Sequence, residues 1–213
     1  ENHTIVDEKY ICFNRLITLL KKENIYFTSY SDLLQEQKDY LKDYFNEMIQ
    51  PVLTPMAIDV SRPFPLLANK SLNLGICLKS NNDKKLFPNK EGQRLVAVVQ
   101  VPSNLPRIIK VPTKDEKKVF ILQEQIIKEY IDELFSGYQV ESVDTFRITK
   151  NADVNLDEGT GDMLKKMQQY VQRRKWGFPV RLEIKEDMNS RLKELLVSVL
   201  DLKEQDIYLN SGP

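Results

Sequence analysis

Apolar residues recur along this chain with two periods, one helical and one alternating, and the switches between them lay out its elements. Over residues 4–24, Tyr10, Phe13, Leu16, Ile17 and Leu20 keep helical spacing, with Lys21, Lys22 and Glu23 at the solvated end. Asn24 and the run "IYF" (25–27) break this helix. A second helix is expected over 32–49, with Leu34, Leu41, Tyr44, Phe45 and Met48 as its stripe and Pro51 as its stop. The stretch "PVLTPMAIDVSRPFPLL" (51–67) follows. Pro51, Pro55, Pro63 and Pro65 keep the backbone extended, yet Val52, Leu53, Met56, Ile58, Phe64, Leu66 and Leu67 are too apolar for a solvated linker. It reads as an ordered crossing over a core, anchored by Phe64, Leu66 and Leu67.

Strand patterns take over next. Leu72, Leu74, Ile76 and Leu78 share one face, and Asn73, Gly75 and Cys77 the other. "LVAVVQV" (95–101) is continuously apolar, as in a central strand covered on both faces. "RIIKV" (107–111) and "KVFIL" (118–122) are shorter strands around a polar turn. A helix built on Leu122, Ile126, Tyr130 and Leu134 ends near Ser136-Gly137. A strand over 138–150 points Phe146 and Ile148 inward and Arg147 and Thr149 outward. A helix over 161–175 ends at Gly177, "VRLEIK" (180–185) alternates throughout, and Asn189 or Ser190 caps a helix on Leu192, Leu195, Leu196 and Val199. "DIYL" (206–209) is a last short strand. The expected fold class is α+β: a mostly antiparallel sheet with helices packed on one face, preceded by two N-terminal helices.

Composition narrows the function classes. The chain carries 31 basic and 31 acidic residues, a balance that argues against a general nucleic-acid binder. No apolar run is long enough for a transmembrane helix, and the N-terminus has neither the basic region nor the apolar core of a signal peptide. It does not begin with methionine, so it reads as a segment of a longer protein. Cys12 and Cys77 both sit among apolar residues, which suggests buried free thiols in a reducing, cytoplasmic setting. Two cysteines and one histidine do not make a zinc site without carboxylates, and no glycine-rich phosphate loop is present.

Candidate chemistry is sparse. His3, the only histidine, lies at the chain end with no carboxylate held beside it, and reads as an exposed, frayed residue. In "FRITKNADVNLDE" (146–158), Arg147, Lys150 and Asn151 at a strand end could hold phosphate oxygens, and Asp153, Asp157 and Glu158 a magnesium ion. An ordinary polar strand end followed by a solvated acidic loop explains the same residues. "RRKWG" (173–177) is the densest basic cluster. Cations at a helix C-terminus are favourable without any ligand, and Trp176 can pack the helix end as readily as stack on a base. Arg147, Lys150, Asn151, Arg173, Arg174 and Arg181 are therefore the candidate anion-binding set, with no catalytic and no metal-ligating residue. On these residues alone, an independent anion- or nucleic-acid-binding module stays open beside a structural domain.

Four motifs add a resemblance. "DYFNEMIQPVLTPMAIDVSRPFPLLANKSLNL" (43–74), "DTFRITKNADVNLDE" (144–158), "RRKWGFPVRLEI" (173–184) and "IYLNSGP" (207–213) together resemble bacterial polyphosphate kinase of the phosphohistidine type. Lys150 stands where that family usually has arginine, which keeps the charge and loses the fork geometry. The resemblance implies that residues 1–50 are the tail of an N-terminal helical domain with a lead-in helix, and that 51–213 form the middle, or head, domain. It implies a reversible transfer from ATP to polyphosphate through a histidine in domains outside this chain, which also hold the ATP or ADP and magnesium. It implies a homodimer, polyphosphate as a contact of this segment, and the rest of the kinase chain as its partner. A cytoplasmic enzyme is expected, and membrane association of the full-length protein is compatible with it.

Overall fold

The computed structural model describes residues 2–58, 64–80, 94–151, 177–210 and 212. Helix α1 (Asn2–Lys22) leads through Asn24, which takes a left-handed φ of 58°, into strand β1 (Ile25–Phe27). The "IYF" run therefore both ends a helix and starts a sheet. A 3₁₀ turn at Tyr30–Asp32 precedes α2 (Gln35–Tyr44), whose last turn widens into a π turn at Phe45–Ile49. Pro51 then sits in a 3₁₀ turn at Gln50–Val52, where its missing N–H costs nothing.

Inside the proline-rich stretch lies β2 (Pro55–Ile58). It is an edge strand, paired antiparallel with β4 (Arg94–Gln100), and Pro55 occupies its first position, where a sheet tolerates proline. With β3 (Leu72–Ser80), β7 (Tyr138–Asn151), β8 (Phe178–Lys185) and β9 (Ile207–Asn210) it forms a six-stranded sheet in the order β2-β4-β3-β7-β8-β9. All pairs are antiparallel except β8 with β9. β5 (Ile108–Val111) and β6 (Lys118–Leu122) pair as a hairpin, and β1 joins β6 in parallel to make a separate three-stranded sheet.

The α+β class with a mostly antiparallel sheet and leading helices is as expected. The layering is fuller than one helical face. On one side of the large sheet, Cys77, Val96, Val98, Phe146, Ile148, Leu182 and Ile184 pack against Leu192, Leu196 and Leu200 of α4 (Ser190–Leu200). On the other side, Leu74, Ile76, Leu78, Ala97 and Val99 meet Leu41, Phe45 and Ile49, the small sheet, and Ile126 and Ile127 of α3 (Gln123–Glu129). That second cover runs over β4, β3 and the first half of β7, where Tyr138, Val140 and Val143 pack against it, so the polar end of this face is confined to the Arg147 end of β7 with β8 and β9, where Val6 and Tyr10 of α1 still meet Tyr208.

Asn189 caps α4: its Oδ1 accepts from the backbone N–H of Arg191 at 3.1 Å and of Leu192 at 3.3 Å. Asn189→Ala is expected to lower stability by about 1 kcal/mol, read as a fall in melting temperature. The proline-rich stretch is held at its far end. Leu67 is buried and Phe64 half-buried in the α4-side core, but Leu66 is 60% exposed and anchors nothing, contrary to its apolar character. Cys77 is buried as expected, whereas Cys12 is exposed. It sits on a face of α1 that also leaves Ile5, Ile11, Leu16 and Leu19 more than half exposed, so its apolar sequence neighbours do not cover it. The expected helix over 161–175 lies outside the described residues; Gly177 itself has the left-handed φ of 65° that a helix C-cap uses.

Candidate functional site

The wet end of the large sheet is not simply solvated. Pairing places Leu72, Arg147, Glu183 and Tyr208 side by side in one row across β3, β7, β8 and β9. Residues directly opposite on neighbouring strands share a face, so register alone brings this charge together. Glu183 is 5% exposed, an expensive place for a carboxylate unless it is paired. Arg147 grips it with a two-pronged contact, Nε to Oε2 at 2.6 Å and Nη2 to Oε1 at 2.9 Å. Arg181 Nη2 adds a third bond to Oε1 at 3.0 Å, and its guanidinium stacks 3.9 Å from the centre of the Tyr208 ring.

Burial works against ionising Glu183, but the Arg147 hydrogen bonds and charge, joined by Arg181, outweigh it and hold the carboxyl below its usual range. The same hydrogen bonds push Arg147 further toward its charged form. A carboxyl with a depressed folded-state pKa stabilises the fold above the unfolded-state value of about 4.3 and loses that contribution as pH falls through the folded value. Acid unfolding should therefore steepen below about pH 4, and Glu183→Gln should flatten that limb in thermal melts run against pH.

Leu72, Arg147 and Glu183 of this row line a cleft of about 210 Å3 whose walls also include Lys70, Arg107, Thr145, Lys185, Asn210 and Gly212. Arg107 is paired with the buried Glu124, with Nη2 to Oε1 at 2.6 Å. Tyr10 of α1 stands over one side. A Cβ on Gly212 would lie 2.6 Å from its ring, so glycine is needed for this close approach. Burial, then the negative charge of Glu183, raises the Tyr10 hydroxyl pKa, while Arg147, Arg181 and Arg107 pull the other way.

The sequence candidates separate here. Arg147 and Arg181 come together on Glu183. Lys150 turns elsewhere: its Nζ donates to the Leu67 carbonyl at 2.8 Å, and its backbone exchanges two bonds with the Asn69 side chain. It ties the end of the proline-rich stretch to β7 and has no place in the cleft lining. Burial lowers its pKa. Asn151 ends β7 opposite Phe178. Arg173, Arg174, Trp176, Asp153, Asp157 and Glu158 lie outside the described residues, as does the side chain of His3. Lys70, Arg107 and Lys185 were not among the candidates. They come from a loop, a turn and a strand, with no local pattern to mark them. Among the described residues, no three potential metal ligands cluster, and no helix is long and apolar enough to cross a membrane.

A two-faced α+β domain with a charged cleft at one sheet end defines a class rather than a function. Comparison with known proteins gives the family. The model of the polyphosphate kinase middle domain matches residues 36–213. A polyphosphate kinase of Bacillus cereus is 42% identical over 214 residues, covering 99% of this chain and 30% of that protein. One from Exiguobacterium sibiricum is 42% identical over 212 residues, covering 98% of this chain and 28% of its own length. The crystal structure of polyphosphate kinase from Porphyromonas gingivalis shares the fold, with a TM-score of 0.76 at 21% identity over 99% of this chain and 29% of that one. This chain belongs to the polyphosphate kinase family. It spans about 30% of the length of relatives such as the Bacillus cereus protein.

Proposed function

We propose that this chain serves as the middle domain of an ATP:polyphosphate phosphotransferase and is not catalytic by itself. In this reading the whole enzyme moves the ATP γ-phosphate reversibly onto polyphosphate through a phosphohistidine outside this chain, where magnesium and nucleotide are also held. The segment's own work is to support a homodimer in the cytoplasm and to carry a cationic surface beside the polymer. The observation that carries the reading is the family match, unbroken from residue 36 to 213. The core supports the scaffold role, because Phe45, Leu74, Ile76, Ala97, Val99, Leu182 and Leu192 are all fully enclosed on one side of the sheet or the other. Sedimentation of the chain at micromolar concentration tests the dimer. A two-subunit species that dissociates on dilution is expected, and a monomer at every concentration would contradict this part of the reading.

A further inference from the structure

We infer that the cleft between β7–β9 and the Arg107 turn is an oxyanion subsite for bare phosphate chains, with Lys70, Arg107, Arg147 and Lys185 as its cationic wall. This deepens the reading above and rests on it for the identity of the anion. The cleft itself gives the chemistry. Its lining holds four cations and the single carboxylate Glu183. That carboxylate already serves Arg147 and Arg181, so the local balance is positive in a chain with no net charge.

The paired arginines keep free valence. A guanidinium has five N–H donors in a fixed fork. Arg147 uses its Nε–Nη2 edge on Glu183, and Arg107 the same edge on Glu124. Each leaves its Nη1 edge for another acceptor, and the two side chains are 39% and 47% exposed. Their carboxylates hold the forks in place before any ligand arrives, which lowers the ordering cost of binding. Lys70 and Lys185 have no carboxylate within ion-pair distance among the described residues.

Backbone geometry points the same way. Lys70 holds a left-handed φ of 61°, a conformation uncommon for a side chain of its size. It is kept there by its N–H bond to Ile148 O at 2.9 Å and by the Asn69 and Lys150 clamps on either side. Strain of this sort persists only where surrounding structure enforces it, and it gathers at ligand clamps. Lys150 thus positions Lys70 rather than meeting the anion.

Size selects the ligand. The cleft of about 210 Å3 is below the roughly 300–1,000 Å3 of pockets that enclose drug-sized molecules. A short run of phosphoryl groups fills a cleft of that size, and the nucleoside of a nucleotide would lie outside it.

The test is calorimetric titration of the chain with inorganic tripolyphosphate and, separately, ATP, at low and moderate salt. Lys70→Glu and Lys185→Glu are the test variants, since neither side chain forms an ion pair among the described residues or belongs to the buried core. Lys193→Glu, on exposed α4 across the sheet, makes the same change in net charge. Thermal melts confirm that each variant folds. Tripolyphosphate should bind the parent, weaken at least fivefold in each cleft variant, and stay within twofold in Lys193→Glu. ATP should bind more weakly than tripolyphosphate. Equal loss in Lys193→Glu would reduce the effect to general charge, equal binding of ATP would remove the selection for bare chains, and no binding by the parent would overturn the site. None of these failures touches the family reading, which stands or falls on phosphotransfer by the full-length protein.

Discussion

Gly75→Val should destabilise the chain by about 3 kcal/mol, at the upper end of what overpacking a full core costs. A Cβ built on Gly75 lies 2.6 Å from Leu192 Cδ2 and 2.9 Å from Cδ1. Leu192 is fully buried at the start of α4, and Asn189 fixes the helix above it. The helix therefore has little room to retreat. Valine adds two methyl groups to the Cβ and widens the clash. The effect should appear in urea unfolding as a lower midpoint with little change in slope. Combining it with Leu192→Ala, which alone costs about 3–5 kcal/mol through its cavity, should recover part of the loss, because the two changes share one space. Strict additivity would show that α4 does not seat on Gly75 as described.

Glu183→Ala is the second large effect. Removing one partner of a buried ion pair costs about 3–5 kcal/mol, since the remaining charge stays poorly solvated. Here the side chains of Arg147 and Arg181 are 39% and 28% exposed, so water softens the loss, and about 2–3 kcal/mol is expected. Glu183→Gln should cost less than Glu183→Ala, because its amide oxygen still accepts one bond. The double variant Arg147→Met with Glu183→Leu should be closer to the parent than Glu183→Ala is, because it replaces the charged pair with packed apolar volume. If Glu183→Ala matched the parent in melting temperature, the row across β7, β8 and β9 would not be a buried network at all.

These two sites also show what the sequence made visible. The strands of the large sheet were legible because one face is apolar at every second residue: Leu74, Ile76 and Leu78 in β3, Phe146 and Ile148 in β7, Leu182 and Ile184 in β8. The cap at Asn189 was legible because its chemistry is local. β2 was hidden by its prolines, and β1 by being three residues long. Glu183 was hidden for a different reason. Alternation assigns it to the polar face, and only the register with Arg147 and Tyr208 shows that this face is enclosed. Arg147 and Arg181, marked in the sequence as candidate anion-binding residues, both take Glu183 as their partner. Lys150 was marked by its neighbours in sequence, yet its ammonium meets a backbone carbonyl. Lys70 and Lys185 are isolated lysines until the fold sets them around one cleft.

The proposed scaffold role places the phosphotransfer chemistry elsewhere in the full-length protein. The most direct measurement is ATP-dependent formation of polyphosphate by the 213-residue chain and, in parallel, by the full-length protein that contains it. Synthesis by the full-length protein and none by the chain alone is the predicted result. Turnover by the chain alone, abolished by a substitution within it, would contradict the claim and place the chemistry in this domain.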